Sequence, residues 1–341
     1  MRMNISITDA LALTVSITLG FVICYYLTPK VINFSQKRGY VGIDIHKPTK
    51  PKIPTLGGIS IIISLIIASI PLVILYPIEI GTLILTSLIG ALVGLIDDLK
   101  NLRGITKMII TVIASIPIFI IGLLYPTHIR LGRPVVPILG RLRLTIVYWL
   151  FLPFAIAIPA NAVNMLEVFN GIMPITCGLA LVSLAISSLI LGNKIGIFLT
   201  LMLLSVLLGY LPYNKYPARV FSGNIGSYCV GSAIGAIAVI AGLEFETIIV
   251  LTPHILNALL VILSIKGIRG RHEIKVRPII VHEDGLLEAN RERNAPLTLT
   301  RLILLVMGPL REYEVIKTIT RLEIISCLLS IISTILKAWV V

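Results

Sequence analysis

The sequence predicts an all-α polytopic membrane protein with about ten transmembrane helices, and three observations carry that prediction. Of 341 residues, 57% are hydrophobic and 13% charged, with a mean hydropathy of +1.00, far from the composition of a soluble globular chain. Apolar runs about 20 residues long, the length a helix needs to span a bilayer, recur almost end to end. The net charge of +13 is striped, because the basic residues fall between those runs. A soluble enzyme, a disordered chain and a disulfide scaffold are excluded, and nucleic acid is a poor candidate partner.

The runs fall at roughly 8–28, 56–76, 79–96, 108–125, 145–163, 172–192, 195–211, 225–243, 246–265 and 318–340. The first is read as a retained helix and not a removed signal peptide, since Met1 to Ile7 carries one arginine and no small-residue cleavage site follows. Loops after odd-numbered runs hold 21 lysines and arginines, against 5 after even-numbered ones. The odd-numbered loops are therefore expected in the cytoplasm and both termini outside. Ile129 to Leu144, punctuated by Gly132, Pro134, Pro137 and Gly140, predicts a small external hairpin. Residues 266–317 form the one loop large enough for structure of its own, a candidate cytoplasmic lid or substrate pocket within a single domain covering 1–341, and Val276 to His282 could be a strand inside it. Cys24, Cys177, Cys229 and Cys327 lie far apart in or beside apolar runs, as small core residues do.

Polar groups at the ends of spans are informative in a chain with only 16 acids, because a charge in hydrocarbon costs ~2.5–3.5 kcal/mol. Asp97 and Asp98 close the third run, at a helix C-terminus where the macrodipole disfavours negative charge. Lys100, Arg103 and Lys107, a metal or a bound phosphate could offset them, and a solvated turn with loose ion pairs is the plainer alternative. Asn161 and Asn164 share one helical face at the end of the fifth run, with Glu167 and Asn170 beyond. These amides either bond between spans or line a site for a metal and a base edge. Pro217 to Ser227 leads into the eighth run, where Gly223 and Gly226 permit close approach and the helix N-terminus is expected to offer free N–H groups to an anion. Gly231, Ser232, Ala233, Gly235 and Ala236 beyond it suit helix packing. Lys266 to Arg277, with glycine-separated arginines and His272, is either positive-inside charge or a pyrophosphate clamp. His46, His128, His254 and His282 have no ligand spacing and are taken as structural.

In order, Pro54-Thr-Leu-Gly57-Gly58, Asp97-Asp98, Asn161-x-x-Asn164 with Asn170-Gly171, Arg219-Val-Phe221-x-Gly223-Asn224 and Arg271-His272 resemble the polyprenyl-phosphate N-acetylhexosamine-1-phosphate transferases. The resemblance covers nearly the whole chain and is closest to the dolichyl-phosphate GlcNAc-1-phosphate branch, through Asn294 to Arg311 and the last run. It implies transfer of GlcNAc-1-phosphate from UDP-GlcNAc to dolichyl or another polyprenyl phosphate, with UMP leaving, as the first step of lipid-linked oligosaccharide assembly for N-glycosylation. By resemblance, Asp97, Asp98 and Lys107 are catalytic. Asn101, Asn170, Gly171, Phe221, Arg271 and His272 bind substrate, with Asn170 on the uracil edge and Phe221 stacked on its ring. Asn164 and Asn224 would hold Mg²⁺, with Mn²⁺ as the alternative ion. The expected partners are UDP-GlcNAc, the lipid phosphate and membrane lipids, with a homodimer left open, in a cell membrane in preference to the endoplasmic reticulum.

Three departures from the family pattern stand out. Asn224 replaces an aspartate that is the family's principal Mg²⁺ ligand, and the amide keeps an oxygen but loses the charge. Glu273 stands where an arginine is expected after Arg271-His272. Glu167 could supply the missing carboxylate. The rival reading is a non-catalytic homologue or nucleotide-sugar transporter, against which stand the absence of internal repeats and the crowding of polar residues at one face.

Overall fold

The computed structural model describes residues 4–129, 131–267 and 276–340, apart from the side chain of Thr145. Helix α1 (Ile7–Arg38) opens on a capping box in which Ser6 and Asp9 exchange side-chain and backbone bonds at 3.0 and 3.1 Å. It outruns the predicted span by ten residues, nearly three turns or about 15 Å, before Gly39, at φ +73°, ends it. A hairpin of β1 (Val41–Ile43) and β2 (Lys52–Pro54) follows, pairing Val41 with Pro54 and Ile43 with Lys52. Then come α2 (Gly58–Val73), α3 (Pro77–Lys100) and α4 (Gly104–Thr111), the last passing through a 3₁₀ turn at Val112–Ser115 into α5 (Ile116–Leu124). Pro117 cannot donate to the carbonyl of Ile113, which accounts for that interruption of a run predicted as one helix.

Strands β3 (Val135–Val136) and β4 (Gly140–Arg141) form the hairpin expected between 129 and 144. Helices α6 (Thr145–Leu166), α7 (Ile172–Ile190), α8 (Lys194–Asn214) and α9 (Gly223–Ile240) match four predicted spans within a few residues. The ninth run, expected as a single helix over 246–265, is instead α10 (Glu244–Val250) and α11 (Thr252–Ser264), bent by 69°. Pro253 has no N–H for Ile249 and its ring would meet that carbonyl, so the helix breaks two residues earlier, at Leu251, and Pro253 sits in the first turn of α11. Strands β5 (Ile279–Val281), β6 (Leu286–Ala289) and β7 (Leu310–Arg311) form an antiparallel sheet, with α12 (Leu299–Met307) between the last two. Helix α13 (Glu312–Ala338) completes the chain.

Among the described residues, eight helical segments are long and apolar enough to cross a membrane, and the bent pair makes a ninth. Helix α2, at 16 residues, is shorter, so the ten predicted runs are all helical without all being full-length spans. The chain is an integral membrane protein. Helix α9 is almost wholly buried at the centre of the bundle. Its glycines explain why: a Cβ at Gly231 would come 2.5 Å from the Cα of Ala160, and one at Gly235 would come 2.5 Å from the carbonyl oxygen of Ala155. All four cysteines are buried and free, as expected.

Residues 276–311 do not stand apart as a separate body. Ile279, Leu287, Leu299 and Ile303 share one apolar cluster with Leu166, Phe169, Ile172 and Val315, so the small sheet is seated on the ends of α6, α7 and α13. At the other end of the bundle, Tyr76 donates to Asp9 and receives Lys194 at 2.9 Å. There too Lys337 donates to Glu246 at 3.0 Å and to the carbonyl of Gly242 at 2.8 Å. Each of the four histidines taken as structural has a neighbour in the fold: His128 meets Glu79, His254 meets Thr176, His282 meets Glu288, and the ring of His46 lies 4.6 Å from that of Phe169.

Candidate active site

The site is built around the N-terminus of α9. Segment 54–58 runs beside 221–222: Phe221 donates its N–H to Pro54 at 2.8 Å, while Gly57 and Gly58 donate to Phe221 and Ser222 at 2.9 and 2.8 Å. Gly58 lies against the backbone of Gly226, and Gly94 against the carbonyl of Asn224, with no room for a Cβ at either. Three helices thus meet backbone to backbone where the sequence placed its motifs.

Asp98 occupies the N-terminus of α9, accepting the N–H groups of Asn224 at 2.9 Å and Ile225 at 3.0 Å. The expectation of free N–H groups there is corrected: the protein supplies the anion from the end of α3, and Gly223 at φ +70° lets the carboxylate come in. Asp97, 1% exposed, accepts from Leu102 at 2.9 Å and pairs with Lys107 at 2.5 Å. Lys107 is therefore the cation that offsets the pair, and the loose solvated turn does not describe it. Asn101 closes α3 in a left-handed conformation at φ 50° and is exposed.

Asn164 reaches from α6 to α9, its amide nitrogen donating to the side-chain oxygen of Asn224 at 2.7 Å and to Ser227 at 2.8 Å. Asn161 falls on the structural alternative, bonding Ala157 at 2.8 Å and accepting from Tyr228 at 3.2 Å. Glu167 caps α6 and accepts the hydroxyl of Ser222. Burial pushes its carboxyl up to about 8; the hydroxyls of Ser222 and Ser227 oppose that shift, and the negative charge of Asp98 adds to it.

Asn170, 3% exposed, donates its side-chain N–H to Asp44 at 3.2 Å and its backbone N–H to Glu312 at 3.4 Å. Gly171, at φ +80°, turns the chain from there into α7. The ring of Phe221 lies against Gly42, its carbons 3.2 and 3.4 Å from where a Cβ would stand. Arg271, His272 and Glu273 lie outside the described residues. Asp97, Asp98, Lys107, Asn164, Glu167 and Asn224 therefore gather at the α9 N-terminus, and Asn170, Gly171 and Phe221 at the β1–β2 hairpin. The sequence reading missed Asp44, Lys47, Glu312, Ser222 and Ser227. Asp44 did carry a signal, as the one acid in a loop with six lysines and arginines.

Among the described residues no three histidine, cysteine or acidic side chains form a metal-holding group. The donor chemistry nevertheless suits a hard divalent ion: the carboxylate of Asp98 is bonded to the backbone of Asn224, the side-chain oxygen of Asn224 is bridged by Asn164, and Ser222, next in sequence to Gly223, holds the Glu167 carboxyl. Such all-oxygen sets of few carboxylates are what Mg²⁺ takes, with water and phosphate oxygens completing its shell.

Residues 80–242, from early α3 through α9, match the family model described as glycosyl transferase family 4. Over 96% of the chain and 97% of the relative, the sequence is 30% identical to a Sulfolobus acidocaldarius protein that carries the name UDP-N-acetylglucosamine–dolichyl-phosphate N-acetylglucosaminephosphotransferase. A Saccharolobus solfataricus protein of the same name is 32% identical over 94% of the chain and 97% of its own length. A phospho-N-acetylmuramoyl-pentapeptide-transferase of Clostridium novyi is 31% identical over 78% and 86%. With the matched region containing Asp97, Asp98, Lys107, Asn164 and Asn224, and with full-length relatives above and beyond it, the chain belongs to glycosyl transferase family 4.

Proposed function

We propose that the protein transfers GlcNAc-1-phosphate from UDP-GlcNAc to dolichyl or another polyprenyl phosphate, releasing UMP, as the first step of lipid-linked oligosaccharide assembly. The observation that carries this reading is the meeting of the Lys107–Asp97 pair, the Asp98-capped helix and the Asn164–Asn224 bridge at one end of a membrane bundle. The excess of lysine and arginine in the loops at that end favours the cytoplasmic face, where nucleotide sugars are supplied. A cell membrane is preferred to the endoplasmic reticulum.

In the reaction an oxygen of the lipid phosphate attacks the β-phosphorus of UDP-GlcNAc. A new diphosphate P–O–P bond forms, the bond from the β-phosphorus to the bridging oxygen breaks, and UMP departs with that oxygen. A phosphomonoester is already anionic, so positioning and charge neutralisation supply most of the acceleration. Lys107 binds a reacting phosphate, held in place by Asp97, while Asp98 fixes the α9 N-terminus to α3. Asn164, Asn224 and Glu167 would hold Mg²⁺, or Mn²⁺ in its place, which supplies charge neutralisation on the diphosphate. Asn170 faces the uracil edge and Phe221 its ring, with Gly171 giving the turn between them its shape. Asn101, Arg271 and His272 complete the phosphate and sugar contacts.

The test is UMP release from UDP-GlcNAc by the purified protein in detergent with Mg²⁺ and a polyprenyl phosphate. Release that depends on both additions is expected. Nucleotide binding with no release would favour the non-catalytic homologue.

A further inference from the structure

Asn170 is gripped from two sides. Asp44 accepts its side-chain N–H at 3.2 Å and Glu312 its backbone N–H at 3.4 Å. Lys47 lies between the two acids, paired with Asp44 and 3.6 Å from Glu312, with its ammonium 5.0 Å from the centre of the Tyr216 ring. Asp44 is itself fixed, donating its N–H to Pro51 at 3.0 Å and accepting the N–H of His46 at 3.4 Å. Two residues back, in β1, Gly42 packs against Phe221. The β1–β2 hairpin thus holds both the ring and the amide.

A carboxamide can read either of two base edges. Its oxygen accepts and its nitrogen donates, and a half-turn about the last side-chain bond exchanges them. Uracil presents an N–H donor at N3 beside carbonyl acceptors, whereas cytosine presents an acceptor at N3 beside an amino donor. An asparagine free to turn would accommodate both. Asp44, a carboxylate paired with Lys47, can only accept. It keeps the nitrogen of Asn170 on its own side and the amide oxygen on the other, and the turned amide would set oxygen against oxygen.

We propose that Asp44 is a positioning residue that locks the Asn170 amide with its oxygen toward the base, so that the site selects uridine over cytidine nucleotides. The inference rests on the reading of Asn170 as the residue facing the base of UDP-GlcNAc. It adds a specificity determinant outside the catalytic cluster, on a segment whose role in base choice follows from its hydrogen bonds alone.

The experiment uses the full-length protein in detergent and measures inhibition of sugar-phosphate transfer to the lipid by UMP and by CMP, together with transfer from UDP-GlcNAc and CDP-GlcNAc. The unmodified protein is expected to prefer the uridine compounds at least about tenfold, the worth of one well-placed hydrogen-bonding pair. In Asp44→Asn and Asp44→Ala that ratio should fall about tenfold, and Asp44→Glu, again an acceptor only, should restore most of it. The ratio does not depend on how much protein folds. For a variant without turnover it is read from protection against thermal unfolding by UMP and CMP. An unchanged ratio in both Asp44→Asn and Asp44→Ala would overturn the inference, as would an unmodified protein that transfers from both nucleotides alike. No transfer by the unmodified protein from any nucleotide sugar would overturn the functional reading instead.

Discussion

Asp98 accepts the backbone N–H of Asn224 at 2.9 Å, so the last turn of α3 caps the first turn of α9. Two charge-assisted bonds are made there, with Ile225 the second donor. Asp98→Ala should lower stability by about 2 kcal/mol, and Asp98→Asn by about half as much because one acceptor oxygen remains. Thermal unfolding in detergent measures the difference. An Ala variant as stable as the parent would show that the cap contributes nothing.

Lys107 and Asp97 form a closer and drier pair than a surface ion pair, at 2.5 Å with Asp97 only 1% exposed. Lys107→Met should cost about 3 kcal/mol, because it strands a buried carboxylate. Adding Asp97→Asn should recover most of that stability while leaving UMP release at background. Recovery of turnover in the double variant would mean that the pair is structural and that Lys107 does not bind phosphate.

The Asn164–Asn224 bridge uses the Asn224 oxygen and would survive Asn224→Asp. That substitution adds a charge to the oxygen set, and the Mg²⁺ concentration for half-maximal UMP release should fall about tenfold. Glu167→Gln should act in the opposite sense and abolish Mg²⁺-dependent turnover. Magnesium titrations of the two variants side by side decide whether Glu167 stands in for the missing aspartate, and unchanged turnover in Glu167→Gln would rule it out.

Gly94 touches the carbonyl of Asn224, whereas Gly81 on the same helix faces open space. Gly94→Ala must push α3 away from α9, at about 2–3 kcal/mol and with a loss of turnover. Gly81→Ala, which only improves helix propensity, should be neutral or stabilising by up to about 1 kcal/mol. Equal effects of the two substitutions on unfolding would contradict the packing described.

Much of the cluster was legible because membrane segments carry few polar groups, so Asp97, Asp98, Asn164 and Glu167 stood out against apolar runs. The connections between them were not. Nothing local indicates that Asp98 bonds to a backbone 126 residues later, and a lone helix N-terminus reads as open to any anion. Asn170 stands out in the sequence, but its bond to Glu312, 142 residues away, does not. The β1–β2 hairpin has strands of three residues each, too short for a period to show. The break between α10 and α11 had a visible cause in Pro253, outweighed in the reading by an apolar run of ordinary length.

Helix α13 is fastened at both ends, by Glu312 to Asn170 and Lys47 and by Lys337 to Glu246 and Gly242. A straight helix of about 1.5 Å per residue sets those clasps about 38 Å apart, against a hydrocarbon thickness of ~30 Å. A rod held at two points cannot tilt against its neighbours to suit a thinner bilayer without releasing one of them, and one of them is the grip on Asn170. Adaptation to thickness therefore falls on the lipids or on the tilt of the whole bundle, and not on α13 alone. In vesicles of progressively shorter acyl chains the mismatch should surface first as a rising KM for UDP-GlcNAc with kcat little changed, making the bilayer's own dimension a determinant of nucleotide affinity.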